Sequence, residues 1–166
     1  MIYEPREDSY MFKEHLEGMD LEGKKVLDMG TGSGILAKTM LDQGAEVTAV
    51  DINSEASDQV PEEIRFIESD LFENVEGKFD LIVFNPPYLP GEEEIEGSET
   101  WKGGKKGIEV TERFLEEASN YLNRDGKVLT MVSSLADHSD LMKKYDLDIV
   151  ESKKLPFEEV YLVLKE

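Results

Sequence analysis

Apolar residues along the chain fall into two kinds of run, and the alternation between them predicts the architecture. Short runs rich in apolar positions read as buried strands. They are "KKVLDMG" at 24–30, ending in Asp28, "AEVTAVDIN" at 45–53, ending at Asp51, and "IRFIESD" at 64–70, ending at Asp70. "FDLIVFNPP" at 79–87 is the fourth and "GKVLTMVSS" at 126–134 the fifth. Between them lie stretches with helical spacing. "EDSYMFKEHLEG" at 7–18 is closed by Gly18, and "GSGILAKTMLDQG" at 32–44 is stopped by Gly44. "GIEVTERFLEEASNYL" at 107–122 and "LADHSDLMKKY" at 135–145 are the other two. Five helix-connected strands predict a parallel α/β sheet. The last two strands, 146–155 and 159–166, are joined by "LPFE", too short for a helix, so they pair antiparallel.

With 166 residues, the chain suits one domain, 1–166. Residues 1–20 form an N-terminal helical segment, and 90–107, "PGEEEIEGSETWKGGKKG", is the one long loop. Loops of that length in compact domains are usually functional or disordered. There is no apolar run long enough for a membrane span and no basic, apolar leader at the N-terminus. Cysteine is absent, which excludes disulfides and cysteine-based zinc within this chain and favours a cytoplasmic setting. The net charge of −20, from 18 basic and 38 acidic residues, repels phosphate backbones, so direct nucleic-acid binding is not expected.

Candidate chemistry sits where the strands end. In open α/β sheets ligands bind outside the carboxyl ends of the strands. Four polar residues stand there: Asp28, Asp51, Asp70 and Asn85. The first strand runs into "DMGTGSG", whose Gly30, Gly32 and Gly34 allow a sharp turn and close ligand approach. A dinucleotide site would favour G-x-G-x-x-G and a loop open to pyrophosphate. Here the spacing is G-x-G-x-G behind a carboxylate, which repels pyrophosphate and suits an ammonium group. S-adenosylmethionine (AdoMet), cationic and without phosphate, fits those ends better. Asp51 is placed to accept hydrogen bonds from a ribose diol. The blander alternative is an ordinary tight turn with helix-capping aspartates.

"NPPY" at 85–88 has its own logic. Proline cannot extend a sheet, so the strand stops at Asn85 and the backbone behind it is stiffened. An amide nitrogen is a poor nucleophile. Two acceptors, the Asn85 side-chain oxygen and the Pro86 carbonyl, can hold its two N–H groups and aim its lone pair at an electrophilic methyl. Tyr88 can pack on the planar amide. The proton can leave after transfer, so no base need act first.

The order "DMGTGSG", "VDIN", "SDLF", "NPPY" resembles a class I AdoMet-dependent methyltransferase of the amino-methylating kind. With "YEPREDSY" near the start and "TWKGGKKGIEV" after the motif, nearly the whole chain resembles the HemK/PrmC family in its archaeal and eukaryotic branch. That branch methylates the glutamine side-chain amide in the Gly-Gly-Gln motif of class-1 translation release factors. The resemblance implies a Rossmann-like, seven-stranded, mostly parallel sheet in the order 3-2-1-4-5-7-6, with an antiparallel last strand and helices on both faces. It implies that Asp28, Gly30 and Gly32 line the methionine end of AdoMet and Asp51 the ribose. Asp70 and the Leu71 backbone then read the adenine edge, and Ser9 covers the cofactor from the N-terminal segment. Asn85 stands where cofactor and acceptor meet; Pro86, Pro87 and Tyr88 hold the target amide, and Trp101 belongs to a substrate-side lid. The product is S-adenosyl-L-homocysteine.

The resemblance also implies a small zinc-binding activator subunit, joined as a heterodimer near the third strand, with no metal in this chain. One departure bears on that edge: between Asp51 and Asp70 the chain is shorter than is usual in the family. The alternative function is methylation of a nucleic-acid base, adenine N6 or guanine N2, since NPPY suits any planar exocyclic amine. A dehydrogenase is disfavoured by the loop spacing, and a non-catalytic cofactor-binding scaffold by the intact NPPY.

Overall fold

The computed structural model describes residues 6–86 and 105–166. Seven strands form one sheet: β1 (Lys25–Met29), β2 (Glu46–Asp51), β3 (Arg65–Glu68), β4 (Phe79–Phe84), β5 (Leu122–Ser133), β6 (Asp148–Leu155) and β7 (Glu158–Lys165). Their order across the sheet is β3-β2-β1-β4-β5-β7-β6. The five strands from β3 to β5 are mutually parallel, and β7 runs antiparallel to both β5 and β6. Only Pro156 and Phe157 separate β6 from β7, and that short link imposes the reversal.

Alternate residues along each central strand serve opposite faces. Val26, Val47, Leu81, Val83 and Leu129 pack with Phe12 and Leu16 of α1 (Glu7–Glu17) and Met40 of α2 (Ile35–Asp42). On the other face Leu27, Val50, Ile82 and Phe84 meet Phe114 and Leu115 of α3 (Lys105–Ala118) and Leu141 of α4 (Ser139–Lys144). Phe72 stacks on Phe114 and Tyr121, with ring centroids 5.7 and 4.5 Å apart, which closes that second layer under the sheet's carboxyl end.

The crossovers are less helical than the hydrophobic pattern predicts. Between β2 and β3 there is only a 3₁₀ segment, Ser54–Gln59, capped by the Asn53 side chain, which accepts from the Glu55 N–H. A single residue of it, Ala56, is buried, too little apolar surface to anchor a full crossover helix. Turns alone join β3 to β4. The expected helix at 135–145 shrinks to Ser139–Lys144, and β5 begins at Leu122, inside the stretch expected to be helical.

Two strand ends also move. β1 continues one residue past Asp28 to Met29, and β3 stops at Glu68, so Asp70 lies in the turn beyond its strand rather than at its end. There the Ser69 side chain governs the backbone: its hydroxyl donates to the Leu71 carbonyl at 2.8 Å and accepts from the Asn74 N–H at 2.9 Å. Those side-chain bonds replace the ladder and end the strand early. Pro87, Tyr88, Trp101 and most of the 90–107 loop lie outside the described residues.

Candidate active site

A cavity of about 310 Å³ opens at the carboxyl ends of β1, β2 and β4. Of the sequence-expected residues, it brings together Ser9, Asp28, Gly30, Gly32, Asp51, Asp70, Leu71 and Asn85. Pro86 lies outside its lining and borders a second, smaller cavity that also reaches Asn85.

The turn after β1 makes room for a ligand. Gly30 has φ +66, a conformation L side chains rarely adopt, and a Cβ there would stand 3.3 Å from the Phe84 ring. Leu71 also takes positive φ, +52, although it carries a buried side chain. A leucine held in that region carries backbone strain, of the kind that clusters at ligand sites.

Asp28 is 1% exposed and accepts one side-chain hydrogen bond, from the Thr31 hydroxyl at 2.7 Å. Burial pushes its carboxyl up to about 7; the Thr31 bond opposes that shift and the nearby Asp51 charge adds to it. A buried carboxyl in this state is stabilised as an anion by any cation brought beside it. Asp51 is held rigidly instead: Oδ2 accepts from the Gly32 N–H and Oδ1 from the Asn53 N–H, each at 2.9 Å. Each oxygen keeps a lone pair for a further donor. The Asp51 carbonyl accepts from the Ser69 N–H at 2.9 Å, tying β2 to the turn that carries Asp70 and Leu71.

At the far wall the Asn85 side-chain NH₂ approaches the Ser9 hydroxyl at 3.4 Å. Ser9 is buried on α1, so the N-terminal helix closes one side of the cavity. Behind Asn85, the Thr130 hydroxyl donates to the Phe84 carbonyl at 2.7 Å and fixes the end of β4.

Thr31, Ser69, Phe84, Val110 and Arg113 also line the cavity or orient its walls, and sequence reasoning missed them. Arg113 Nη2 sits 3.4 Å from Asp70 Oδ1, across the mouth. Its spacing of three from Val110 puts both on one helix face, a signal that could have drawn attention to the pair. Thr31 and Ser69 act within their own turns, three residues from Asp28 and two from Leu71, and that short spacing is the signal that could have found them.

A parallel sheet reversed at β7, with an acid-lined cavity over a glycine turn at its carboxyl edge, defines a Rossmann-like methyltransferase. The family model for the methyltransferase small domain matches residues 7–155, and the chain belongs to that family. It is 38% identical to "Putative protein N5-glutamine methyltransferase MJ0928" of Methanocaldococcus jannaschii, over 98% of this chain and 90% of that protein. It is 33% identical to methyltransferase HEMK2 of Mus musculus, over 75% of this chain and 68% of that one. Among solved structures it resembles Mtq2 in the E. cuniculi Mtq2–Trm112 complex, responsible for methylation of the eRF1 translation termination factor. That likeness has a TM-score of 0.79 at 27% identity and covers 99% of this chain and 98% of the other.

Proposed function

We propose that this chain transfers a methyl group from AdoMet to the side-chain amide nitrogen of a glutamine, that of the Gly-Gly-Gln motif in a class-1 translation release factor. The observation that carries the reading is Asn85. It stands on the wall of the acid-lined cavity, its NH₂ turned to Ser9, so its oxygen is the end available to an acceptor amide. The names of the relatives support the reaction, and the Mtq2 complex supports the acceptor.

The residues present fit AdoMet, which supplies an electrophilic sulfonium methyl and leaves as S-adenosyl-L-homocysteine. Asp28 pairs with the ammonium of its methionine end, in a pocket where no phosphate would be tolerated. Asp51 accepts from the ribose hydroxyls, using the lone pairs its backbone bonds leave. Asp70 and the Leu71 N–H read the adenine edge, Gly30 and Gly32 give close approach, and Ser9 shuts the cavity from α1. On the acceptor side, Asn85 Oδ1 and the Pro86 carbonyl hold the two N–H groups of the target amide. They orient the lone pair and stabilise the positive charge that grows on nitrogen. Pro87, Tyr88 and Trp101 complete that side in this reading.

We further propose that the chain works as one catalytic domain in the cytoplasm, with a small zinc-binding activator on the outer edge of β3. β3 is one of the two edge strands of the sheet, with one side unpaired. Mtq2 was solved with a second chain, Trm112, which supports such a partner. Among the described residues no helix is long and apolar enough to cross a membrane. Base methylation would need the same cavity, but a net charge of −20 opposes a polyanionic substrate.

The test is methyl transfer to the release factor beside AdoMet calorimetry for Asn85→Ala. Cofactor affinity is expected to stay, with single-turnover transfer slowed by about 10²–10³-fold. Near-normal turnover in that variant removes the mechanism.

A further inference from the structure

Arg113 is the one basic residue among the described residues that line the cavity of about 310 Å³. Asp28, Asp51 and Asp70 share that lining, and the function proposed above leaves the guanidinium without a task. A cavity that takes a cation is weakened by a second cation in its wall unless a carboxylate offsets that charge. Asp70 is the carboxylate beside it, with Arg113 Nη2 3.4 Å from Asp70 Oδ1. The two side chains are 53% and 43% exposed, so the pair contributes little to folding stability. What it does is fix where one carboxylate of the cavity wall points.

The core beneath holds the two residues in register. Phe114, next to Arg113 on α3, is fully buried. Its ring stacks on Phe72, two residues beyond Asp70, at 5.7 Å between centroids, and meets Phe84 at 4.6 Å. The turn that carries Asp70 is set as well. The Ser69 hydroxyl bridges the Leu71 carbonyl and the Asn74 N–H, and the Glu73 N–H donates to the Asp70 carbonyl at 3.2 Å. With both backbones fixed, only the torsions of the two side chains stay free.

Asp51 shows how the same cavity orients a carboxylate elsewhere, through two backbone N–H groups. Asp70 has no such backbone donors among the described residues, and Arg113 is its one side-chain donor there. A guanidinium on Oδ1 fixes the carboxylate's rotation and leaves Oδ2 available to a ligand N–H.

We propose that Arg113 is the positioning residue of the adenine subsite. By holding Asp70 Oδ1 it aims Oδ2 at the 6-amino group, so the cavity selects a purine that carries that group over one that lacks it. The inference rests on the reading of Asp70 as an acceptor at the adenine edge and adds the group that orients it.

The test is calorimetry with two ligands. One is S-adenosyl-L-homocysteine; the other is its analogue with purine riboside in place of adenosine, which keeps N1 and lacks the 6-amino group. Wild type should bind the first about tenfold more tightly than the second. Asp70→Ala should erase that ratio. Arg113→Met keeps an aliphatic stem without the donor and should cut the ratio to about twofold. Arg113→Lys keeps a cationic donor and should retain most of it. A merely structural defect in α3 would weaken both ligands alike and leave the ratio at its wild-type value. A wild-type ratio in Arg113→Met therefore overturns the positioning role, and its loss in Asp70→Ala would then leave Asp70 as the reader. A ratio near one in wild type, or an intact ratio in Asp70→Ala, sinks the Asp70 assignment and the inference together. Methyl transfer to the release factor, measured in parallel, reports separately on the acceptor.

Discussion

Asp28 and Asp80 stand in neighbouring strands at opposite ends of the sheet, and their surroundings push them in opposite directions. Asp80, at the start of β4, accepts the Lys25 N–H at 2.9 Å and the Asn123 side-chain NH₂ at 3.1 Å. The Lys25 bond leads in holding its carboxyl below the usual range, and the Asn123 bond adds to it. It stitches β1, β4 and the start of β5 at the closed end. Asp28 is more deeply buried, has the Thr31 hydroxyl as its side-chain donor and is raised to about 7. A carboxylate serving only stability is placed where donors surround it. Under the proposed function Asp28 is desolvated ahead of a cation, and the folded state carries that cost until the ligand arrives.

The sharpest way to break this comparison is Asp28→Asn. Loss of the buried partner charge should weaken AdoMet binding by about 10²–10³-fold, read by calorimetry. The same change should stabilise the ligand-free protein above neutral pH. The folded-state pKa of Asp28 lies above the unfolded value of about 3.9. Its favourable contribution is therefore complete below pH ~4 and is lost as pH rises through ~7. Urea midpoints for wild type and Asp28→Asn should diverge over that window, with the variant ahead at pH 8. Unchanged cofactor affinity in Asp28→Asn would show that the two aspartates do not differ in the way proposed.

The pH profile of AdoMet binding sharpens the contrast with a smaller effect. A cation selects ionised Asp28, so affinity should fall several-fold from pH ~7.5 to pH 6, and fall again above pH ~8 as the α-amino group of AdoMet loses its proton. Thr31→Val removes the hydroxyl donor and should shift the acid midpoint of that profile upward, with several-fold weaker binding at pH 7. An unmoved midpoint would mean that Thr31 does not tune Asp28.

Smallest of all is the effect at the other end. Asp80→Ala should cost about 1 kcal/mol of stability in urea unfolding, since water can reach the donors left behind. Cofactor affinity and its pH profile should stay those of wild type. A cofactor defect there would mean that the closed end of the sheet transmits to the site.

Much of this was legible in order along the chain. Runs of Val, Ile and Leu marked the strands, the "LPFE" link foretold the reversed pair, and the residues after each run marked the cavity wall. Asp51 and Asn85 fell where the pattern put them. Asp70 did not, because the Ser69 hydroxyl captures the turn and ends β3 at Glu68. The segment between β2 and β3 keeps only a 3₁₀ turn, set by the Asn53 cap.

By itself the sequence determined the class of fold, since hydrophobic spacing dictates which backbone can bury each face, and it determined the inventory of polar groups at the strand ends. What only the tertiary structure decided was the state of those groups. How far an aspartate lies from water, and which charges stand around it, depends on neighbours such as Asp51 for Asp28 or Asn123 for Asp80. Those neighbours are distant along the chain, and a carboxyl's ionisation answers to every dipole and charge around it rather than to its own spacing.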